Sequence, residues 1–307
     1  MTTTATRPDV RIQPPVRPGQ SKERWIRRAP LLPALIFAIV ITQIPFLYTL
    51  YLSTLSWNAL KPGKREFIGL ENYATVLTDE RLRAALVNTV ILTAGAVIFS
   101  MILGLVLALL LDRKFVGRPI VRTLLITPFL VMPIAAALLW KHAIFNPAYG
   151  LINGLFGGST DWISSYPKAA VITTLVWQWT PFMMLILLAG LQSQSSEVLE
   201  AARVDGANAW QIFRRMTLPH LRQYLELGGL LGSIYLVNTF DAVFSITQGG
   251  PGTATTNLPY EIYLTTFRKF EYGEASAAGV IVVLLTIIVA TFALRVISSL
   301  FRMEAKS

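Results

Sequence analysis

Tyr235, Asn238, Asp241 and Ser245 recur at three- and four-residue spacing inside the otherwise apolar run from Tyr224 to Ile246. A helix there would gather them on one face. Hydroxyls, an amide and a carboxylate offer hydrogen bonding. An aspartate in the middle of a membrane span costs about 2.5 to 3.5 kcal/mol, less nearer an interface. Asp241 lies about 25 Å along the helix from Tyr224, in the outer half of the run. The face must therefore meet neighbouring helices, as hydrogen-bonding glue, or a polar ligand.

Trp177, Gln178 and Trp179, in the run from Ala169 to Leu191, supply aromatic faces and an amide. That chemistry suits a neutral sugar, whose C–H faces stack and whose hydroxyls bond. Tryptophan is also the residue of membrane interfaces, and both readings stand for Trp177.

The elements that carry these residues are joined by an unusual connection. Residues 193–222 form a polar segment of about thirty residues where a few would bridge two spans. Glu197 and Glu200 occupy the start of a predicted helix, where negative charge complements the dipole. Gly206 breaks it, and a second short helix is predicted from Ala207 to Met216. It places Trp210, Phe213 and Met216 on one face and stops at Pro219. Such a knob either lies in the lipid headgroups, to which Arg214 and Arg215 are suited, or docks on a soluble partner.

Composition sets the frame. Of 307 residues 53% are hydrophobic and 14% charged, too apolar for an ordinary soluble domain. Six runs reach span length: 31–52, 86–111, 120–145, 169–191, 224–246 and 275–300. Residues 1–30, basic and without apolar periodicity, read as a disordered tail, and 301–307 as a second tail. The first run lacks a small-residue cleavage site and reads as an anchor. Pro128 and Pro133 in the third run, with Pro45 and Pro181 in the first and fourth, predict bent helices. Gly228 and Gly232 would admit a close neighbour.

Seventeen Lys and Arg residues fall in the tails and connections of one side and eight in those of the other, so the first side, with both termini and the 193–222 loop, is predicted cytoplasmic. This distribution along the spans also explains the net charge of +10 better than nucleic-acid binding does. The chain has no cysteine and two histidines, His142 and His220, which excludes disulfides and thiolate metal sites. Both histidines read as interfacial, without an obvious serine partner. No phosphate-binding loop, H-E-x-x-H or G-x-S-x-G sequence occurs.

Glu200-Ala201-Ala202, Gly206 and then Thr217-Leu218-Pro219 resemble the EAA signature of binding-protein-dependent ABC importer permeases, with Met216 where the family usually has isoleucine. Phe67-Ile-Gly-Leu-Glu-Asn-Tyr73 and Asn238-Thr-Phe240-Asp241 with Thr247-Gln-Gly-Gly-Pro251 are similar to segments of the maltose-type sugar permeases. Trp179-Thr-Pro-Phe-Met183 is also similar, although Gln194-Ser195 replaces the usual Ile-Pro.

The resemblance implies an all-α polytopic fold, the type I importer permease fold of six transmembrane helices with a cytoplasmic coupling helix. That helix would be seated on an ATPase through Glu200, Ala201, Ala202, Asp205, Gly206, Trp210, Phe213, Leu218 and Pro219. It implies sugar-lining residues around Asn238, with Tyr235, Phe240, Asp241, Trp177 and Gln178 as candidates. The expected partners are a second and different permease chain, two ATPase subunits that hold ATP and Mg, an extracytoplasmic solute-binding protein and the lipid of the inner cell membrane. No cofactor, metal or catalytic residue is expected on this chain. Likeness to trehalose importers implies that disaccharide. An ion-coupled secondary transporter, or a permease for another oligosaccharide or a glycerol phosphate derivative, is the alternative.

Overall fold

The computed structural model describes residues 29–61, 63 and 65–304. The chain divides into two compact units, residues 1–48 and 49–307. In the first, a 3-10 turn (Ala29–Leu31) leads into α1 (Leu32–Leu52), whose last turn belongs to the second unit. The expected N-terminal tail lies almost wholly outside the described residues.

The second unit opens with a two-stranded antiparallel hairpin, β1 (Leu55–Trp57) and β2 (Arg65–Phe67), pairing Leu55 with Phe67. The short helix α2 (Glu71–Thr78) is latched to it. Asn72 Nδ2 donates to the carbonyls of Ser53 and Leu55 at 2.8 and 2.9 Å, and the hydroxyls of Tyr73 and Ser53 meet at 2.6 Å. The Asn and Tyr of the Phe67–Tyr73 motif thus serve a local fold. Asp79 then caps α3 (Glu80–Asp112) by accepting from the amides of Arg81 and Leu82.

The third apolar run is two helices, not one: α4 (Arg118–Leu130) and α5 (Pro133–Leu139), extended to Ile144 by a wide π turn. They are bent by 99° at the break. The expected proline bend is therefore a full break, at Pro133, whose missing N–H suits the first turn of a new helix. Pro45, Pro128 and Pro181 lie inside continuous helices.

Two short helices, α6 (Leu151–Phe156) and α7 (Trp162–Ser165), lead to α8 (Pro167–Gln192), the most buried of the long helices. Helix α8 packs along α3. A Cβ on Gly104 would lie 2.7 Å from Met183 Cβ and 2.9 Å from the Met184 nitrogen, so the two backbones meet there. One core cluster joins Leu111, Met184, Leu187, Leu188 and Leu221; another joins Leu92, Val171, Leu175, Leu236, Val243 and Ile246.

Helices α9 (Ser196–Val204) and α10 (Ala209–Ile212) form the knob, and α11 (Leu218–Val237) follows a π turn at Phe213–Thr217. Gly228 and Gly232 receive Met183, whose Cε lies 2.3 Å from the position of a Cβ on Gly232. A side chain, not a second backbone, fills the predicted groove. After a π turn at Val243–Thr247 come α12 (Leu258–Phe267) and α13 (Tyr272–Glu304).

Among the described residues α1, α3, α8 and the Tyr272–Phe292 part of α13 are long and apolar enough to cross a membrane, and α4 with α5 makes a fifth if taken as one bent span. Helix α11 begins with His220, Arg222 and Glu226 and falls short of that apolarity. The helix α13 runs into the segment expected as a C-terminal tail, as far as Glu304.

Candidate functional site

The predicted 224–246 helix ends early. Helix α11 stops at Val237, and Asn238 adopts φ −88° and ψ 11°. Its side-chain Nδ2 donates to the Ile234 carbonyl at 2.9 Å, while its backbone N–H turns to Tyr235 at 3.2 Å. The side chain thus takes the acceptor that the next turn's backbone would have used. The amide of Asn257 holds the loosened chain at the Thr239 carbonyl, and Lys141 Nζ reaches the Ser245 carbonyl at 3.0 Å.

This break opens a cavity of about 280 Å³ between three elements. Phe129, Val131 and Pro133 line it from the α4–α5 break, Leu175, Gln178 and Trp179 from α8, and Tyr235, Asn238, Thr239, Asp241 and Ala242 from the α11 break. Two discontinuities face one helix. Gln178, only 7% exposed, ties the α4–α5 break to α8 by donating to the Val131 carbonyl at 3.1 Å. That carbonyl lies just ahead of Pro133, where the break leaves it without a helical partner.

The lining divides by chemistry. Trp179 lies 5.5 Å from the Tyr235 ring, 5.7 Å from Phe129 and 5.6 Å from Phe182, centroid to centroid, which makes an aromatic wall. Opposite in character are Asn238 and Asp241: among the described residues, Asn238 Oδ1 and both Asp241 oxygens accept no hydrogen bond. The lining holds one carboxylate and no cationic side chain.

Of the predicted residues, Gln178, Tyr235, Asn238 and Asp241 come together here, though on a broken chain and not on one helix face. Three predicted residues do not line this cavity. Trp177 packs against Trp140 at 5.9 Å, and Phe240 joins Phe244, Tyr260 and Tyr263 at 5.2 to 6.2 Å. Ser245 is buried, its carbonyl held by Lys141. Trp179, read from the sequence with Trp177 and Gln178 as chemistry suited to a sugar, does line it. Thr239 and the α4–α5 residues were not among the predicted ligands; Val131-Met-Pro133 was the signal for the latter, legible only once the break was known.

The knob has its own geometry. In α9, Glu200 and Ala201 are exposed and Ala202 half-buried. The helix closes in a Schellman motif: the N–H of Ala207 donates to Ala202 at 3.0 Å and that of Gly206 to Arg203 at 3.1 Å, with Gly206 at φ +84°. The Ala202-to-Gly206 spacing is thus the spacing of that closure, with Asp205 at the helix end. Asn208 and Gln211 form a capping box that starts α10. Exposed Trp210 stacks on Phe213 at 5.7 Å. Met216 instead faces a cleft of about 390 Å³ with Asp205, Gly206, Gln211, Ile212 and Arg215.

Two expectations fail in this region. Pro219 does not stop the second helix, because the π turn carries the chain from α10 into α11 and leaves Leu218 and Pro219 in the first turn. His220, expected to lack a serine partner, lies 3.0 Å from Ser193 Oγ.

The family profile described as "Binding-protein-dependent transport system inner membrane component" matches residues 96–303. The chain is 37% identical to the probable ABC transporter permease protein y4oQ of Sinorhizobium fredii, over 80% of this chain and 81% of that one. It is 33% identical to the trehalose transport system permease protein SugA of Mycobacterium tuberculosis, over 81% of each. With the trehalose/maltose permease MalF of Thermococcus litoralis it shares 32% identity over 85% and 89%. Its fold matches a chain of a bacterial alginate ABC transporter solved with its periplasmic protein, at TM-score 0.76 and 21% identity over 90% and 96% of the chains. The all-α importer permease fold expected from the sequence is the fold found.

Proposed function

The chain belongs to the family of binding-protein-dependent transport system inner membrane components, and from that premise we propose that it is the sugar-translocating permease subunit of an ATP-driven importer. Trehalose is the favoured cargo. One observation carries the reading: the aromatic wall of Trp179, Tyr235 and Phe129 converges with the uncommitted acceptors of Asn238 and Asp241 in one cavity. Rings cover the C–H faces of a pyranose while amide and carboxylate oxygens accept from its hydroxyls.

Charge narrows the class. With Asp241 and no Lys or Arg in the lining, an anionic cargo such as a sugar phosphate would meet repulsion, which argues against the glycerol phosphate derivative. The likeness to SugA and to the trehalose/maltose permease supports a neutral disaccharide.

In this reading a second permease supplies the facing half of the pathway. Two ATPase subunits bind ATP and Mg and press on the 193–222 loop from the cytoplasm, where both termini also lie. A solute-binding protein delivers the sugar from the other side. The residues of this chain bind, orient and release.

The test is uptake of labelled trehalose into vesicles that contain the assembled importer, its binding protein and enclosed ATP. Uptake that requires ATP and survives a protonophore is expected, with excess unlabelled trehalose competing. Uptake without ATP that collapses with the proton gradient would mark an ion-coupled transporter instead.

A further inference from the structure

A knot of hydrogen bonds closes the root of the loop between α8 and α11. The Gly190 carbonyl, in the last turns of α8, lies 2.8 Å from Ser193 Oγ and 3.1 Å from His220 Nε2. Ser193 Oγ also lies 3.0 Å from His220 Nε2 and 2.9 Å from the Tyr224 hydroxyl. His220 and Tyr224 belong to the first turns of α11.

Proton placement follows from one fixed role. A carbonyl only accepts, so the Ser193 hydroxyl and the His220 Nε2–H both point at Gly190 O. Ser193 Oγ, its own proton committed, accepts from Tyr224. An Nε2 that carries hydrogen cannot take a proton from Ser193, so the pair is no hydrolytic dyad.

Packing reinforces it. A Cβ on Gly190 would lie 2.6 Å from Tyr224 Cδ2 and 2.8 Å from Leu221 Cδ2, so the α8 backbone rests on the Tyr224 ring. Leu221 is fully buried in the cluster with Leu187, Leu188 and Leu191.

We propose that Ser193, His220 and Tyr224 are a yoke. They lock the two roots of the loop together, so that displacement of the knob moves α8 and α11 as one. These are the helices that carry Gln178 and Trp179, and Tyr235 and Asn238, to the cavity, about 18 Å and about 27 Å away by helical rise. With separate roots, a push on the knob would be absorbed in the loop. The three are positioning residues, and the proposal rests on the reading that the loop receives ATP-driven motion.

The test is the number of sugar molecules moved per ATP hydrolysed by the complete importer in vesicles. In Tyr224→Phe, which removes one oxygen and keeps the ring, and in His220→Ala, this ratio falls by about fivefold or more, the low end of coupling effects. Complex yield and ATP hydrolysis stay within about twofold. His220→Gln, whose amide N–H reaches toward Gly190, recovers part of the ratio. An unchanged ratio in both variants overturns the yoke, as does a parallel fall in hydrolysis and transport. If His220→Ala does not assemble, Tyr224→Phe alone decides. A wild-type importer that shows no ATP-dependent uptake would overturn the functional reading itself, and with it the yoke.

Discussion

The side-chain amide of Gln178 donates to the Val131 carbonyl at 3.1 Å, across the point where the third apolar run turns by 99°. Gln178→Leu keeps the volume and strands that carbonyl in a buried setting, at a cost of about 1 to 3 kcal/mol. A lower melting temperature of the purified complex and weaker sugar uptake are the expected results. Unchanged melting would show that the break is held by packing alone.

Asn238→Ala and Asp241→Asn test the polar side of the cavity. Each is expected to raise the KM for sugar uptake by about tenfold, equivalent to about 1.4 kcal/mol, with normal complex yield. Loss of assembly in place of a KM change would assign these residues to helix contacts.

Gly206 requires both its φ of +84° and its N–H, which closes on Arg203. Gly206→Ala keeps the N–H and bears only the left-handed penalty of about 1 to 2 kcal/mol. Gly206→Pro loses both. The expected order in ATP-driven uptake is therefore wild type, Ala, then Pro near zero, with the helices still inserted. Glu200→Lys, on the exposed face of α9, should likewise abolish uptake. Equal activity of all four proteins would remove the loop from the mechanism.

Gly249 sits at φ +80°, and a Cβ there would come 2.4 Å from Thr256 Oγ1 and 2.9 Å from Tyr260 Cε1. Gly249→Ala must displace the loop that ties Asn257 to the α11 break, so folded yield falls. A Cβ on Gly279 meets nothing within 4 Å, and Gly279→Ala serves as the neutral control. Equal yields from the two would refute the crowding argument.

Asp161 caps α7, accepting from the Ser164 hydroxyl and from the amides of Ser164 and Ile163. The Ser164 hydroxyl bond is the main reason its carboxyl lies below the ordinary aspartate range. A depressed value means that the cap's contribution is complete above about pH 3.9 and is lost as pH falls through the folded value. Hydrogen-exchange protection of α7 is expected to drop in that acid window, and Asp161→Asn to flatten the dependence. An unchanged profile in Asp161→Asn would contradict it.

Span-length runs, the loop and its glycine were legible in the sequence because length, hydropathy and backbone permissiveness are local properties. The EAA spacing was legible as a signature and is now legible as physics, since Ala202 and Gly206 are the partners of one helix closure. The two breaks were not. Asn238 stops α11 with its side chain on the Ile234 carbonyl, and Asn257, far along the chain, holds the segment that follows. Pro133 announced a bend, but the full break of 99° exposes a carbonyl, that of Val131, whose partner Gln178 belongs to another helix. For the same reason Trp179, rather than Trp177, meets the cavity: the period of α8 is plain in the sequence, its rotation is not.

The anchor on Thr239 comes from Asn257, which stands outside the cavity lining and also starts α12. On the proposed reading, the contour of the sugar pocket is thus partly written in a stretch outside its wall. Lineages that diverge in this stretch would drift in which sugars they accept while every contact residue stays the same, and a comparison restricted to the pocket wall would overlook the cause.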